Sequence, residues 1–398
     1  MKRNKAIDIM RALTMVLMVT VNEFWSVEGI PHWMHHAETT EDMMGLSDIV
    51  FPLFLFVMGM SIPYAIDSKL EKSSVRDVMA HILSRSIALL TMGAFICNAE
   101  YGISEASGYN GAIYNIMMVA GFFLIWNRYP KALSPWISKG LQALGIAALC
   151  FLMITSRNGE GETFSAHWWG ILGLIGWTYL VCAMIYFLFR DRKGVLVVFL
   201  IAFVVINIML NRMNPAHNEQ VLLTIGGTDF LRTVLGILHM DNCGLCALGM
   251  GGVVTAVFTR PFVGKTGKKE SLILVGMSIA LFIAFMIAHE FYIISKNIAT
   301  PSWILAIMSL AVLLYLAMSI LCERHWDGWF KVIRPAGTAT LTCYMMPYLL
   351  YGIIGVTGFE FPDFLLHYPI GLGKCLAFAF ICVALTYLLG KVKIMLKI

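Results

Sequence analysis

Stretches of roughly 20 predominantly apolar residues, the length a helix needs to cross a hydrocarbon core, recur along the whole chain with short polar segments between them. Twelve spans are expected, over residues 6–22, 48–66, 82–98, 111–127, 140–156, 168–189, 194–210, 233–258, 271–294, 301–321, 335–356 and 370–390. The first differs from the rest because Asp8 and Arg11 interrupt it. With no small-residue cleavage site after it, it reads as a retained helix rather than a cleavable signal. Between it and the apolar run that opens at Asp48-Ile-Val-Phe-Pro lie Asn22 and a histidine-rich segment with His32, His35 and His36. The longest connections, 23–47 and 211–232, are short for independent folding, and no internal repeat or low-complexity tract stands out. Residues 1–398 are therefore expected to form a single all-α transmembrane domain.

Composition narrows the class. Of 398 residues, 59% are hydrophobic and 13% charged, and the mean hydropathy is +0.77. That is too little polar surface for a soluble globule of this length. The expectation is a polytopic helical bundle of 10–12 spans in a lipid bilayer, with no nucleic-acid partner; homo-oligomerisation is left open. The nine cysteines fall mostly within apolar spans, where cysteine behaves as a small hydrophobe. Cys243 and Cys246 form a CxxC spacing without a matching second pair, so neither a disulfide framework nor a metal centre is expected.

Charge sets the orientation, because cytoplasmic loops carry an excess of Lys and Arg. With the N-terminus inside, one side receives Lys2/Arg3/Lys5, Lys69/Lys72/Arg76/Arg85, Arg128/Lys131/Lys139, Arg190/Arg192/Lys193, Arg260/Lys265/Lys268/Lys269, Arg324/Lys331/Arg334 and Lys391/Lys393/Lys397. Only Arg157, Arg212, Arg232, Lys296 and Lys374 fall opposite. The other side gathers acids, among them Glu23, Glu28, Glu38, Glu41, Asp42, Glu100, Glu105, Glu219 and Asp229. Both termini are expected in the cytoplasm and the His36 loop outside, facing the periplasm if the membrane is a bacterial inner membrane.

Three groups of residues carry candidate chemistry. Histidine exchanges protons near neutral pH, so the segment at the membrane mouth suits proton abstraction from an amine or hydroxyl, and Asn22 suits a hydrogen bond to a developing oxyanion. The alternative is interfacial anchoring of the same segment together with Trp25 and Trp33. Asp8 and Arg11 lie three residues apart on one helical face, either neutralising each other or leaving Arg11 to meet a phosphate. The third group comprises polar residues in later spans: His239, Asp241 and Asn242 in span eight, Asn98 and Glu100 ending span three, and His289, Glu290 and Lys296 around the end of span nine, expected level with the histidine segment. Such residues usually face a bundle interior or a watery cavity, whether a substrate pocket, a transport path or a polar packing network.

The ordered set Ala6-Ile-Asp-Ile-Met-Arg11, Asn22, His36-Ala37 and Asp48-Ile-Val-Phe-Pro through Gly59-Met-Ser61 resembles the heparan-alpha-glucosaminide N-acetyltransferase-like membrane acyltransferases, especially a bacterial branch of unknown function. Weaker similarity continues through Lys296-Asn297, Thr300-Pro-Ser-Trp303 and Gly337 to Tyr344. The resemblance implies an enzyme that uses cytoplasmic acetyl-CoA as donor, without a metal, and acetylates the N or O of an amino sugar or glycan on the outer side. It implies His36 as the catalytic histidine with Asn22 as its partner. It leaves direct transfer and an acetyl-histidine intermediate both open. Asp48, His289, Glu290 and Lys296 are expected to bind the acceptor, and Arg11, Arg76 and Arg85 the donor's phosphates. Where animal members carry Arg-Gly, an Asn and a later His-Glu pair, this chain has Arg11-Ala12, Ala339 and Pro347-Tyr348, which points to a different acceptor. A solute transporter or flippase using the same buried polar residues in alternating access is the competing class.

Overall fold

A computed structural model describes residues 4–130, 133–211, 228–237, 239–262 and 267–398, with side chains 228–232 and Glu270 left aside. Of the charges used for orientation, Lys2, Arg3, Lys131, Arg212, Glu219 and Lys265, and the side chains of Asp229 and Arg232, lie outside the described residues. The described chain is helical: α1 (Lys5–Asn22), α2 (Leu46–Leu70), α3 (Val75–Glu100), α4 (Gly111–Trp126), α5 (Pro135–Thr155), α6 (Gly170–Phe189), α7 (Lys193–Leu210), α8 (Thr228–Ile237), α9 (Gly244–Thr259), α10 (Lys268–His289), α11 (Pro301–Glu323), α12 (Phe330–Thr338), α13 (Thr340–Thr357) and α14 (Ile370–Lys391). Among the described residues, 10 helices are long and apolar enough to cross a membrane. The all-α polytopic class is thus the observed one. The other two expected spans differ in kind: α4 is 16 residues long, and α1 carries Lys5, Asp8 and Arg11 within its 18 residues.

Two expected spans are broken. The run 233–258 is interrupted between α8 and α9, where His239, Asp241 and Cys243 take positive φ values of 48°, 46° and 64°. His239, Asp241 and Asn242 therefore sit in a turn rather than inside a helix, and the Asn242 side chain accepts from Gly244 N–H at 3.0 Å to start α9. The polar run itself ends the helix, since Asp and Asn side chains compete for backbone partners. The run 335–356 likewise starts with a break at Ala339, which separates α12 from α13.

By contacts the chain forms two compact units: Met1–Thr14, Ile30–Leu83 and Trp177–Lys331 make the first, and Met15–Gly29, Ser84–Gly176 and Val332–Ile398 the second. In the first, α2 and α9 pack backbone to backbone. A Cβ at Gly59 would lie 2.0 Å from Gly249 O, and one at Gly252 2.0 Å from Phe56 O. Small residues allow this approach where lipid offers no hydrophobic driving force between helices. Helices α10 and α11 are joined by reciprocal bonds between Ser278 and Ser309, each hydroxyl lying 2.9–3.0 Å from the other's carbonyl oxygen. The start of α1 is fixed by Asn4, which accepts from Ala6 N–H and donates to the Tyr64 and Tyr315 hydroxyls. In the second unit, α4 meets α5 through Gly121 and Gly145 and meets α13 through Gly352, again with no room for a side chain.

Candidate functional site

The histidine segment is held against the start of α2 by contacts that leave little freedom at His36. Gly45 is the N-cap of α2, and a Cβ there would fall 1.9 Å from His35 O, so only glycine lets the segment lie this close. The Ser47 hydroxyl donates to Met34 O at 2.7 Å. The buried Trp303 indole donates to Asp48 O at 3.3 Å, pinning the first turn of the helix.

Asp48 is third in that helix and only 2% of its side chain is exposed. One carboxylate oxygen accepts from Ala37 N–H at 2.9 Å and from Gly45 N–H at 3.1 Å. The other lies 2.7 Å from His36 Nδ1. An acid in the first turn is favoured by the helix dipole and by the unpaired N–H groups there. With the carboxylate ionised, the contact needs a proton on Nδ1, leaving Nε2 with its lone pair. Half of the His36 side chain is exposed, so the ring is within reach of a reactant.

The connection from α10 to α11 brings Lys296 to the same place. Its Nζ lies 3.1 Å from His36 Nδ1 and 3.8 Å from Asp48. Burial lowers the Lys296 pKa from its ordinary value, against the opposing pull of Asp48. Ser295 donates to Thr39 O, and Asn297 donates to the Thr39 hydroxyl and to Ala37 O. His289, at the end of α10, meets Asp42 at 3.0 Å, which also accepts from Ile294 N–H at 2.7 Å. Glu290 is exposed beside it. His32 is paired with Glu41 at 2.6 Å on the surface; that contact raises the His32 pKa and lowers that of Glu41.

The remaining expected residues are placed differently. The Arg11 guanidinium is shared between Asp8 at 3.3 Å and the Ser61 hydroxyl at 2.6 Å, tying α1 to α2. Arg76 is exposed in the first turn of α3. Arg85 is half-buried and belongs to the second unit. Asn22 ends α1 in that second unit, exposed, and its side chain does not cap the turn that follows. Next to it lies a cluster the sequence did not single out. Glu23 is buried with the Tyr351 hydroxyl, with Ser26 at 3.1 Å and with Lys374 at 3.6 Å. Burial raises the Glu23 pKa against the pull of these partners. The available signal was Lys374, a lone lysine within an apolar span. Among the described residues no group of His, Cys, Asp and Glu is arranged to hold a metal ion.

The mouse heparan-alpha-glucosaminide N-acetyltransferase is 30% identical over 141 residues, which are 33% of this chain and 21% of that protein. The human heparan-alpha-glucosaminide N-acetyltransferase is 29% identical over 106 residues, 26% of this chain and 15% of its own length. The alignment thus spans about a fifth or less of these curated relatives. A family model described as a domain of unknown function, DUF5009, matches residues 3–233. That match takes in more than half of the chain, from α1 through the His36 segment and on to α8, and the chain belongs to this family.

Proposed function

We propose that this protein is a membrane acetyltransferase that moves an acetyl group from acetyl-CoA, presented at the cytoplasmic face, to the amine or hydroxyl of an amino sugar or glycan outside. The observation that carries the reading is the His36 imidazole, oriented through Nδ1 by an Asp48 carboxylate that two backbone N–H groups hold in place. That arrangement leaves one nitrogen free for proton transfer or nucleophilic attack. The similarity to N-acetyltransferases supports the reaction class.

In direct transfer, Nε2 takes the proton of the acceptor as its nitrogen or oxygen attacks the thioester carbonyl. The C–S bond then breaks, and the departing thiolate takes the proton from the imidazolium. In the two-step route Nε2 attacks the carbonyl and thiolate leaves; the acceptor then displaces neutral imidazole from the acetyl group, and the acceptor's proton passes to the thiolate. Both routes use the same nitrogen. Asp48, which the sequence assigned to the acceptor, is read here as a positioning residue. Lys296, with His289 and Glu290, forms the rim the acceptor meets. Arg11, occupied by Asp8 and Ser61, is read as structural, and the outward-facing Arg76 as open to the donor.

The test uses sealed vesicles with the face bearing Lys268 outward, labelled acetyl-CoA outside and candidate amino sugars inside. Labelled acetyl-sugar trapped in the lumen supports the reading. Uptake of unmodified sugar without CoA contradicts it and favours a transporter.

A further inference from the structure

Lys296 is anchored beside the imidazole by its own neighbours in the chain. The buried Ser295 donates to Thr39 O at 3.1 Å, and Asn297 donates to the Thr39 hydroxyl at 3.2 Å, so both flanks are tied to the segment that follows His36. The Lys296 carbonyl accepts from Ala299 N–H at 3.0 Å, closing the turn ahead of α11. All of these residues share the first unit with His36 and Asp48. The backbone is thereby fixed, while 24% of the side chain is exposed and the flexible stem of a lysine lets its nitrogen move across the neighbouring ring.

What that nitrogen meets decides its protonation. It lies 3.1 Å from His36 Nδ1, whereas Asp48, at 3.8 Å, is beyond hydrogen-bonding distance. The Nδ1 proton is already directed at the Asp48 oxygen 2.7 Å away. An ammonium in this place would set N–H against N–H; an uncharged amine brings a lone pair instead. Burial acts in the same direction, lowering the Lys296 pKa against the pull of Asp48. An uncharged lysine amine is a nucleophile toward carbonyl groups. The two ring nitrogens of His36 share one carbon, so this amine is adjacent to the nitrogen that activates the acceptor or carries the acetyl group. Holding the two reacting groups so close makes their encounter intramolecular.

We infer that Lys296 is a self-acetylation site: with no acceptor at the rim, its amine takes the acetyl group at the His36 centre and becomes Nε-acetyl-lysine. The inference rests on the proposed function for its donor, acetyl-CoA. The bond from Lys296 Nζ to the acetyl carbon forms as the C–S bond of the thioester, or the C–Nε2 bond of an acetyl-histidine, breaks. The proton lost by the amine ends on the CoA thiolate in either case, giving the free thiol. The resulting amide is uncharged and adds an acetyl group to the rim, which slows the acceptors that follow.

The purified full chain is incubated with isotope-labelled acetyl-CoA and no acceptor, then treated with hydroxylamine, which cleaves acetyl-histidine but not acetyl-lysine. Chymotrypsin then releases residues 293–303, between the cuts after Tyr292 and Trp303, for mass spectrometry. Label is expected at Lys296 at least about 10-fold faster than at the exposed Lys268, which reports spontaneous acetylation. In His36→Ala, whose folding is checked by its elution profile, the Lys296 rate is expected to fall to that of Lys268. Lys296 labelled no faster than Lys268, in a preparation that acetylates amino sugars, overturns the inference and leaves the proposed function standing. Equal labelling of Lys296 in parent and His36→Ala also overturns it, since the amine then reacts without the imidazole. His36-dependent label at Lys296 in a preparation that acetylates no amino sugar upholds the site and refutes the proposed acceptor instead. A preparation that labels neither refutes both.

Discussion

Asp48→Asn isolates the coupling between the helix start and the imidazole. The carboxylate serves three partners: Ala37 N–H, Gly45 N–H and His36 Nδ1. An asparagine has one carbonyl oxygen for the two backbone donors and presents an NH₂ group in place of an acceptor to the ring. If the oxygen stays with the backbone, Nδ1 faces a donor, the proton moves to Nε2, and the reactive lone pair is lost. General base catalysis contributes roughly 10²–10⁴-fold, so acetyl transfer is expected to fall by at least about 100-fold. Structurally the change weakens bonds to two buried N–H groups, at about 1–3 kcal/mol, which is roughly a 5- to 150-fold rise in opening of the segment from the helix. Ala37 is buried, so Ala37→Cys reports that opening through its rate of reaction with an impermeant thiol reagent. Asp48→Asn in that background is expected to label faster by the same factor and to lose activity. Transfer within about threefold of the parent would refute the positioning role, whatever the labelling shows.

Gly59→Ala places a methyl 2.0 Å from a backbone oxygen of α9 and is expected to cost about 1–3 kcal/mol or more; a lowered melting temperature and folded yield check it, against Gly140→Ala, where nothing lies within 4 Å. The raised His32 pKa adds stability below its unfolded value and loses it as pH rises through the folded one, while the lowered Glu41 pKa adds stability that is lost as pH falls through its own folded value. Proteolysis of residues 30–45 is therefore expected to be slowest between those two values and to quicken on the alkaline side of His32; a rate flat across that range would contradict the pairing. A cysteine at His32 is expected to react with impermeant reagent added outside and one at Lys268 not to, and the reverse pattern would overturn the orientation.

The apolar runs were legible because ten of the described helices present an apolar stretch of the required length. The break at 239–243 was less so: over a window that long, a few polar residues hardly lower the mean, yet locally Asp241 and Asn242 end a helix; the break at Ala339 lies in a run with no Asp or Asn to mark it. Asp48 was visible as an acid opening α2, but not its partner, because which group an acid at a helix start meets depends on how the preceding loop folds back. The approach of Lys296 to His36 spans 260 residues and has no local signature. Asn22 shows the reverse case. It was named for its amide at a helix end and again through a resemblance, and its position at the exposed end of α1 in the second unit adds no contact that explains a role.

The central claim is that His36 carries the acetyl transfer. Its most direct test is turnover of labelled acetyl-CoA by purified parent and His36→Ala proteins side by side in the presence of amino-sugar acceptors, with His35→Ala as the control for folding of the segment. The account predicts that transfer is lost in His36→Ala and retained in His35→Ala; undiminished transfer by a well-folded His36→Ala protein would contradict it.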